Sequence, residues 1–261
     1  MPPPRFGVAL TTRDRREVFD QSYAAWRKHT PDEVPIIVVD DGSCVPVPNA
    51  THRNPFPQGV AAAKNHALRL LMDLDPPVDY LFLADDDCFP LGFGWEEEYI
   101  EIDQDFLSYQ PTKRDYCRTC ADVTTWAYCL KLRRFTCEGH EKPVEIYRDA
   151  AIRAVNWGAG VMLFLTRRAV ETCGGMRTEF GQWGAEHSEY ACRIANTMDT
   201  VRFPFADVLR PQFWARDAHI PGRHSVVPPD VREEHRRRNW DLFTKYRDST
   251  GFVPYIEEES R

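Results

Sequence analysis

Nowhere does this chain carry the roughly 20 consecutive apolar residues that a membrane-spanning helix requires. Its first residues, Met1-Pro2-Pro3-Pro4-Arg5, lack the apolar core of a secretory signal and run directly into a short apolar stretch. A soluble, cytoplasmic protein is the expectation. The chain also lacks a basic excess, with a net charge of -7. That argues against a general polyanion binder working through a basic face. Arg232, Arg236, Arg237 and Arg238 read as a solvated helix face, with a local nucleic-acid patch as the alternative. Internal repeats and low-complexity segments are missing as well, which excludes stacked-repeat architectures.

What is present is enough for one core. Of the 261 residues, 43% are hydrophobic and 12% aromatic, and a single α/β domain is expected. The 20 prolines, among them Pro46, Pro48, Pro55 and Pro57, predict extended loops, where binding sites are commonly built. Phe6, Val8 and Leu10 alternate in a first strand over 5–10. Thr11 to Asp14 offers a cap for a helix over 15–29. Val34 to Val39 is an unbroken apolar run, as in a strand buried on both faces. Gln58-Gly59 opens a second helix, with Val60, Ala63, Ala67, Leu70 and Leu71 at helical spacing, and 80–84 is a third strand. Beyond an irregular 95–155 lie an apolar, Gly-containing run over 156–165, a helix over 186–196, a strand over 201–205 and a last helix over 228–246.

Alternating strands and helices at the start predict a parallel sheet with right-handed crossovers, whose ligands sit beyond the strand carboxyl ends. Thr11-Thr12-Arg13, Asp40-Asp41 and Asp85-Asp86-Asp87 all fall there. Three adjacent carboxylates raise one another's pKa. A divalent cation relieves that repulsion, and hard oxygen ligands suit manganese or magnesium. Asp87, the last of the run, is the first candidate ligand, and Asp86 is the second. Residue types and spacing alone reach this far: an α/β domain with a metal-nucleotide site at its strand ends.

Six segments go further when taken in order. They are Val38-Val39-Asp40-Asp41-Gly42-Ser43, Gly59-Val60-Ala61-Ala62-Ala63-Lys64-Asn65, Leu83-Ala84-Asp85-Asp86-Asp87 and Asn156-Trp157-Gly158-Ala159-Gly160. Trp183-Gly184-Ala185-Glu186-His187-Ser188-Glu189, with Arg193 four residues on, and Gly222-Arg223-His224-Ser225 complete the set. Together they resemble the GT-A glycosyltransferases, which use nucleotide-sugar donors. The late segments are similar to those of the β-1,4-galactosyltransferase and polypeptide GalNAc-transferase groups.

The resemblance implies a GT-A, Rossmann-like mixed sheet flanked by helices, with an irregular insertion and a C-terminal helix. It implies a nucleotide-binding half over 1–94, a cysteine-rich insertion over 95–155, an acceptor half over 156–227 and a terminal helix and tail over 228–261. Thr11, Arg13, Asp40, Asp41, Lys64, Asn65, Asp85 and Asp86 are then expected at the nucleotide-sugar, a UDP-sugar by the resemblance. His224 joins Asp87 and Asp85 at the metal, with His219 as its competitor. Trp157, Trp183, Gly184 and Glu189 are expected near sugar or acceptor, although Glu189 and Arg193 also read as an i,i+4 helix pair.

Lys64 stands where the family has arginine, and Glu186-His187 stands where inverting members show Glu-Asp. Either Glu186 or His187 is therefore the candidate base, and inversion is the expected outcome, with retention as the alternative because retaining polypeptide sugar transferases show Glu-Asn there. The acceptor is a hydroxyl, on a glycan, a protein, a small molecule or a modified DNA base. A bacterial or phage setting fits the missing anchor. A nucleotidyltransferase is the first alternative, weakened because Thr11 to Arg16 contains no glycine. A non-catalytic sugar- or nucleotide-binding module is the second. Separately, Cys117, Cys120, Cys129, Cys137 and His140 form a candidate structural zinc site, with reduced, packed cysteines as the alternative.

Overall fold

A computed structural model describes residues 5–110, 145–156, 158–182, 184–215 and 228–255. The strands are β1 (Phe6–Thr12), β2 (Ile36–Asp40), β3 (His52–Arg53), β4 (Tyr80–Asp85), β5 (Cys88–Pro90), β6 (Phe106–Ser108), β7 (Glu145–Arg148), β8 (Ile152–Val155), β9 (Met162–Thr166), β10 (Ala206–Val208) and β11 (Phe213–Ala215). The helices are α1 (Arg16–His29), α2 (Val60–Met72), α3 (Glu97–Ile100), α4 (Arg167–Cys173), α5 (Glu186–Thr197) and α6 (Pro229–Tyr246). The main sheet has the order β3-β2-β1-β4-β9-β6. β1, β2, β3 and β4 run parallel, and β9 is antiparallel to both β4 and β6. This is the mixed sheet flanked by helices that the sequence implied. Among the described residues no helix is long and apolar enough to cross a membrane.

The two-residue period of the strands sorts the core into two layers. Ala9, Ile37, Val39, Leu81, Leu83, Leu163 and Leu165 face one side, where α2, α4 and α5 supply Leu68, Leu71, Val170 and Ile194. Val8, Leu10, Val38, Phe82, Met162 and Phe164 face the other, against Phe19 and Trp26 of α1 and the aromatic group of Trp95, Tyr99 and Phe213. At Gly7 a side chain of α2 packs directly on the sheet: a Cβ there would lie 2.7 Å from Leu71 Cδ2.

Several boundaries depart from the sequence reading. β1 continues through Thr11 and Thr12, because they pair with Val39, Asp40 and Asp85 on both sides. They do not cap α1, which has no side-chain cap; Asp14 Oδ1 accepts from the Cys44 N–H at 2.6 Å instead. The strand expected over 201–205 begins only at Ala206. Pro204 has no N–H to give a ladder, and the chain enters the ladder when Phe205 O accepts from the Val155 N–H at 3.0 Å. The 95–155 segment, expected as an insertion, contributes β6 to the edge of the main sheet. Residues 111–144, with the candidate zinc ligands Cys117, Cys120, Cys129, Cys137 and His140, lie outside the described residues.

Behind α5 the chain is tied by one buried arginine. Arg193 Nε donates to Glu189 Oε1 at 2.9 Å, and both side chains are fully buried. The same guanidinium donates to the carbonyls of Cys173, Gly175 and Gly251, while Val253 bridges to Gly174. Removing Arg193 would leave the buried Glu189 with Arg177 as its remaining ion-pair partner and take the donor from three carbonyls; breaking a buried pair typically costs about 3–5 kcal/mol. Arg193→Met is therefore expected to cost several kcal/mol in denaturant unfolding. Arg16→Ala, which breaks the exposed pair with Asp20 on α1, should cost only a few tenths.

Candidate active site

Parallel pairing brings the ends of β1, β2 and β4 into one row, with Thr11 opposite both Val39 and Asp85 and Thr12 opposite Asp40. The acidic run at the end of β4 is met there by two cations from its own chain. Arg15 Nη1 contacts Asp86 Oδ1 and Arg15 Nη2 contacts Asp87 Oδ2, each at 2.9 Å. Lys64, buried on α2, places Nζ 2.9 Å from Asp85 Oδ1 and donates to Gly160 O at 2.6 Å. Thr12 Oγ1 donates to Asp86 Oδ2 at 2.8 Å.

Burial pushes the Asp86 carboxyl up to about 7, with Arg15 pulling it down and Asp87 adding to the rise. Burial likewise raises Asp85, with Lys64 opposing. For Arg15 burial acts the other way, but Asp86 and Asp87 outweigh it and hold the guanidinium more firmly protonated than usual. Arg15 was absent from the sequence-derived site, and Thr12 was placed at the strand ends without a role of its own. The available signal was a basic loop after β1 facing a strand that ends in three carboxylates.

The fit for a divalent cation is correspondingly narrow. Among the described residues no three His, Cys, Asp or Glu side chains gather closely enough to cage one. Asp87 Oδ1, however, is buried without a hydrogen-bond partner, and the Asp85 side chain keeps 31% of its surface exposed. One or two carboxylates completed by phosphate oxygens and water is the usual demand of magnesium. Asp87 and Asp85 fit that demand. The candidate ligand His224 lies outside the described residues, as do Trp157 and Trp183.

Asp40 and Asp41, expected at the nucleotide, are occupied in building the loop. Asp40 accepts from the Ser43 N–H (2.9 Å), the Val47 N–H (3.2 Å) and Arg53 Nε (3.3 Å). Asp41 Oδ1 accepts from Asn54 Nδ2 (2.7 Å) and the Gln58 N–H (2.8 Å), and its Oδ2 accepts from the Gly59 N–H (2.9 Å). Both carboxylates are buried. They aim the loop at the start of α2, where Gly59 has φ +101° and a Cβ would lie 2.3 Å from Gly181 O.

Asn65, also expected at the donor, clamps the Met176 backbone in both directions at 2.9 and 2.8 Å. Glu189, expected near the sugar, is closed from solvent by Arg193 and Arg177. Arg13 stays partly exposed and donates to Gln182 Oε1 at 2.6 Å. Thr11 is held in the β1 ladder. Gly184 O accepts from Asn239 Nδ2 of α6 at 2.9 Å.

α5 begins with a sharp reversal: Gly184 has φ +103° and Ala185 φ +67°, and Glu186 is the first helical residue. Its carboxylate lies close enough to Asp85 for the two to repel. Burial alone would raise Glu186. The hydrogen bond to His187, the residue's own helix N–H and Lys64 outweigh it, so the carboxyl sits below its ordinary value and is ionised at neutral pH. Oε1 faces His187 Nδ1 at 3.4 Å, while Oε2 is buried with no partner. His187 Nε2 lies 3.3 Å from Gly158 O. The two glycines of Gly158-Ala159-Gly160 are explained by packing. A Cβ at Gly160 would lie 2.4 Å from His187 Cγ, and one at Gly158 would lie 2.5 Å from Phe205.

No protein-family model and no curated protein sequence matches the chain. Solved structures do. Residues 1–349 of S. aureus TarS in complex with UDP superpose with a TM-score of 0.55 at 12% identity, over 88% of this chain and 63% of that one. GalNAc-T7 with UDP, GalNAc and Mn2+ gives 0.50 at 12% identity, over 74% of this chain and 41% of that one. The mannosyltransferase PcManGT from Pyrobaculum calidifontis, with GDP-Man and Mn2+, gives 0.48 at 16% identity, over 98% of this chain and 58% of that one. The chain thus spans less than two thirds of each of these proteins. TarS and GalNAc-T7 show that the fold is the GT-A glycosyltransferase fold.

The fit of His187 against Gly160 is testable on its own. Overpacking of this kind usually costs about 1–3 kcal/mol. Gly160→Ala should lower stability by that amount, and His187→Ala in the same chain should recover most of it. A double-mutant cycle by thermal unfolding reads the coupling.

Proposed function

We propose that the chain is a metal-dependent glycosyltransferase that moves a sugar from a UDP-sugar to a hydroxyl acceptor with inversion. The observation that carries this reading is an ionised, buried carboxylate with one unpartnered oxygen, Glu186, set beside the acidic end of β4, where Asp87 also keeps one oxygen unpartnered. The GT-A fold and the UDP bound by TarS and GalNAc-T7 support the donor class.

Glu186 serves as the general base. Its Oε2 takes the proton of the acceptor hydroxyl as that oxygen bonds to the anomeric carbon, while the bond from that carbon to the diphosphate breaks and the diphosphate leaves with the electron pair. His187 holds Oε1 and thereby turns Oε2 toward the acceptor. Asp87, through Oδ1, and Asp85 are the residues that would hold manganese or magnesium. The bound ion supplies electrostatic neutralisation of the leaving diphosphate. Arg13, partly exposed beside the row of strand ends, is available to the donor's phosphates or ribose.

Two outcomes test this reading. Melting temperature should rise with a UDP-sugar in the presence of manganese, because a ligand of the native state stabilises it by mass action. Asp87→Ala should remove the manganese-dependent part of that shift. A shift with nucleoside triphosphates alone would instead support a nucleotidyltransferase. Glu186→Gln should leave donor binding intact and slow transfer by about 10²-fold or more in a single-turnover assay with the stabilising donor.

A further inference from the structure

The acidic triplet is already served by counter-ions from the chain itself. Three carboxylates, Asp85, Asp86 and Asp87, are contacted by two cations, Arg15 and Lys64, all at 2.9 Å. Arg15 takes one oxygen of Asp87 and leaves the other, Oδ1, buried and unpartnered. We propose that Arg15 and Lys64 are internal counter-ions that keep the triplet from holding a divalent cation until a nucleoside diphosphate arrives, so that metal and nucleotide bind as one cooperative unit. This rests on reading the site as a nucleotide-sugar site.

The argument is one of charge. With the ionised Glu186 beside Asp85, four carboxylates stand against two cations, so Arg15 and Lys64 cancel about half of the negative charge that would otherwise draw a dication out of water. A guanidinium within about 5 Å opposes that dication directly by Coulomb repulsion. A diphosphate brings at least two further negative charges to the place where the unpartnered oxygen and the partly exposed Asp85 lie. It supplies what the protein withholds. Coupling between two ligands is reciprocal, so manganese must strengthen nucleotide binding by the same factor that nucleotide strengthens manganese binding. Arg15 also fixes the Asp87 carboxylate, so the cost in bare-metal affinity comes with an oriented Oδ1.

The test is a manganese titration of the full chain, read by the electron paramagnetic resonance signal of free Mn2+, with and without saturating UDP or GDP. Manganese alone should bind weakly, and nucleotide should tighten it by about tenfold or more. Arg15→Met should tighten manganese alone by about tenfold or more and shrink the effect of nucleotide. Asp86→Asn should weaken manganese alone, and the double variant Arg15→Met, Asp86→Asn, which removes one charge of each sign, should return it to the wild-type value. The double variant also removes an ion pair whole and so guards against a single variant that does not fold. Equal manganese affinity with and without a bound nucleotide would overturn the proposal, as would an Arg15→Met chain that binds manganese no more tightly. Nucleotide binding indifferent to manganese would overturn it too, and would assign the diphosphate to Arg15 and Lys64 alone. If neither nucleotide binds, the glycosyltransferase reading fails, while the manganese-only titrations of the variants still decide the counter-ion role.

Discussion

Five charged side chains meet at the end of β4: Asp85, Asp86 and Asp87 against Arg15 and Lys64. Buried carboxylates without partners cost several kcal/mol each, so a strand can end this way only if cations are delivered to it. Two separate parts of the fold make the delivery. The loop after β1 sends Arg15 across because β1 is the immediate neighbour of β4 in the sheet. α2 sends Lys64, and α2 can lie close enough because Gly7 leaves room for Leu71. The order of the central strands and the seat of α2 are thus bound up with the charge balance of the site.

A second economy governs the polar groups around it. Asp40, Asp41 and Asn65 spend their hydrogen bonds on backbone and neighbouring side chains, which fixes the loop ending at Gly59 and the turn at Met176. Oδ1 of Asp87 and Oε2 of Glu186 keep unused capacity beside the end of β4, and Oε2 of Glu189 does so one turn further along α5. A satisfied carboxylate holds shape, and an unsatisfied one beside it is what a substrate or ion can engage.

Elements with long, uninterrupted patterns were legible in the sequence. The runs at 34–39 and 80–84 announced β2 and β4, and helical spacing announced α2, while α5 and α6 were expected over 186–196 and 228–246. β6 escaped and β10 was placed a few residues early because each has three residues and draws its pairing from distant chain: β6 from β9, β10 from β8. Three residues carry no period. The site was legible as a place, since the acidic residues do share one edge, but not as a set of roles. A motif gives a carboxylate's position and not its partners, so Asp41 and Asp87 look alike in sequence. One is exhausted by three donors and the other keeps an oxygen free. Glu189 was ambiguous for the same reason: its i,i+4 pairing with Arg193 was legible in the sequence, and the full burial of both side chains was not.

The turn that presents Glu186 is held from far along the chain. Asn239 Nδ2 donates to Phe180 O and Gly184 O, and Arg238 donates to Phe180 O as well. During synthesis these anchors leave the ribosome more than fifty residues after Glu186 itself. The sheet, its two apolar layers and the Arg15 and Lys64 pairs can all assemble before then. A nascent chain therefore has its charge cluster in place while the turn before α5 still lacks its clasp, and that turn is fixed last, when α6 closes on it.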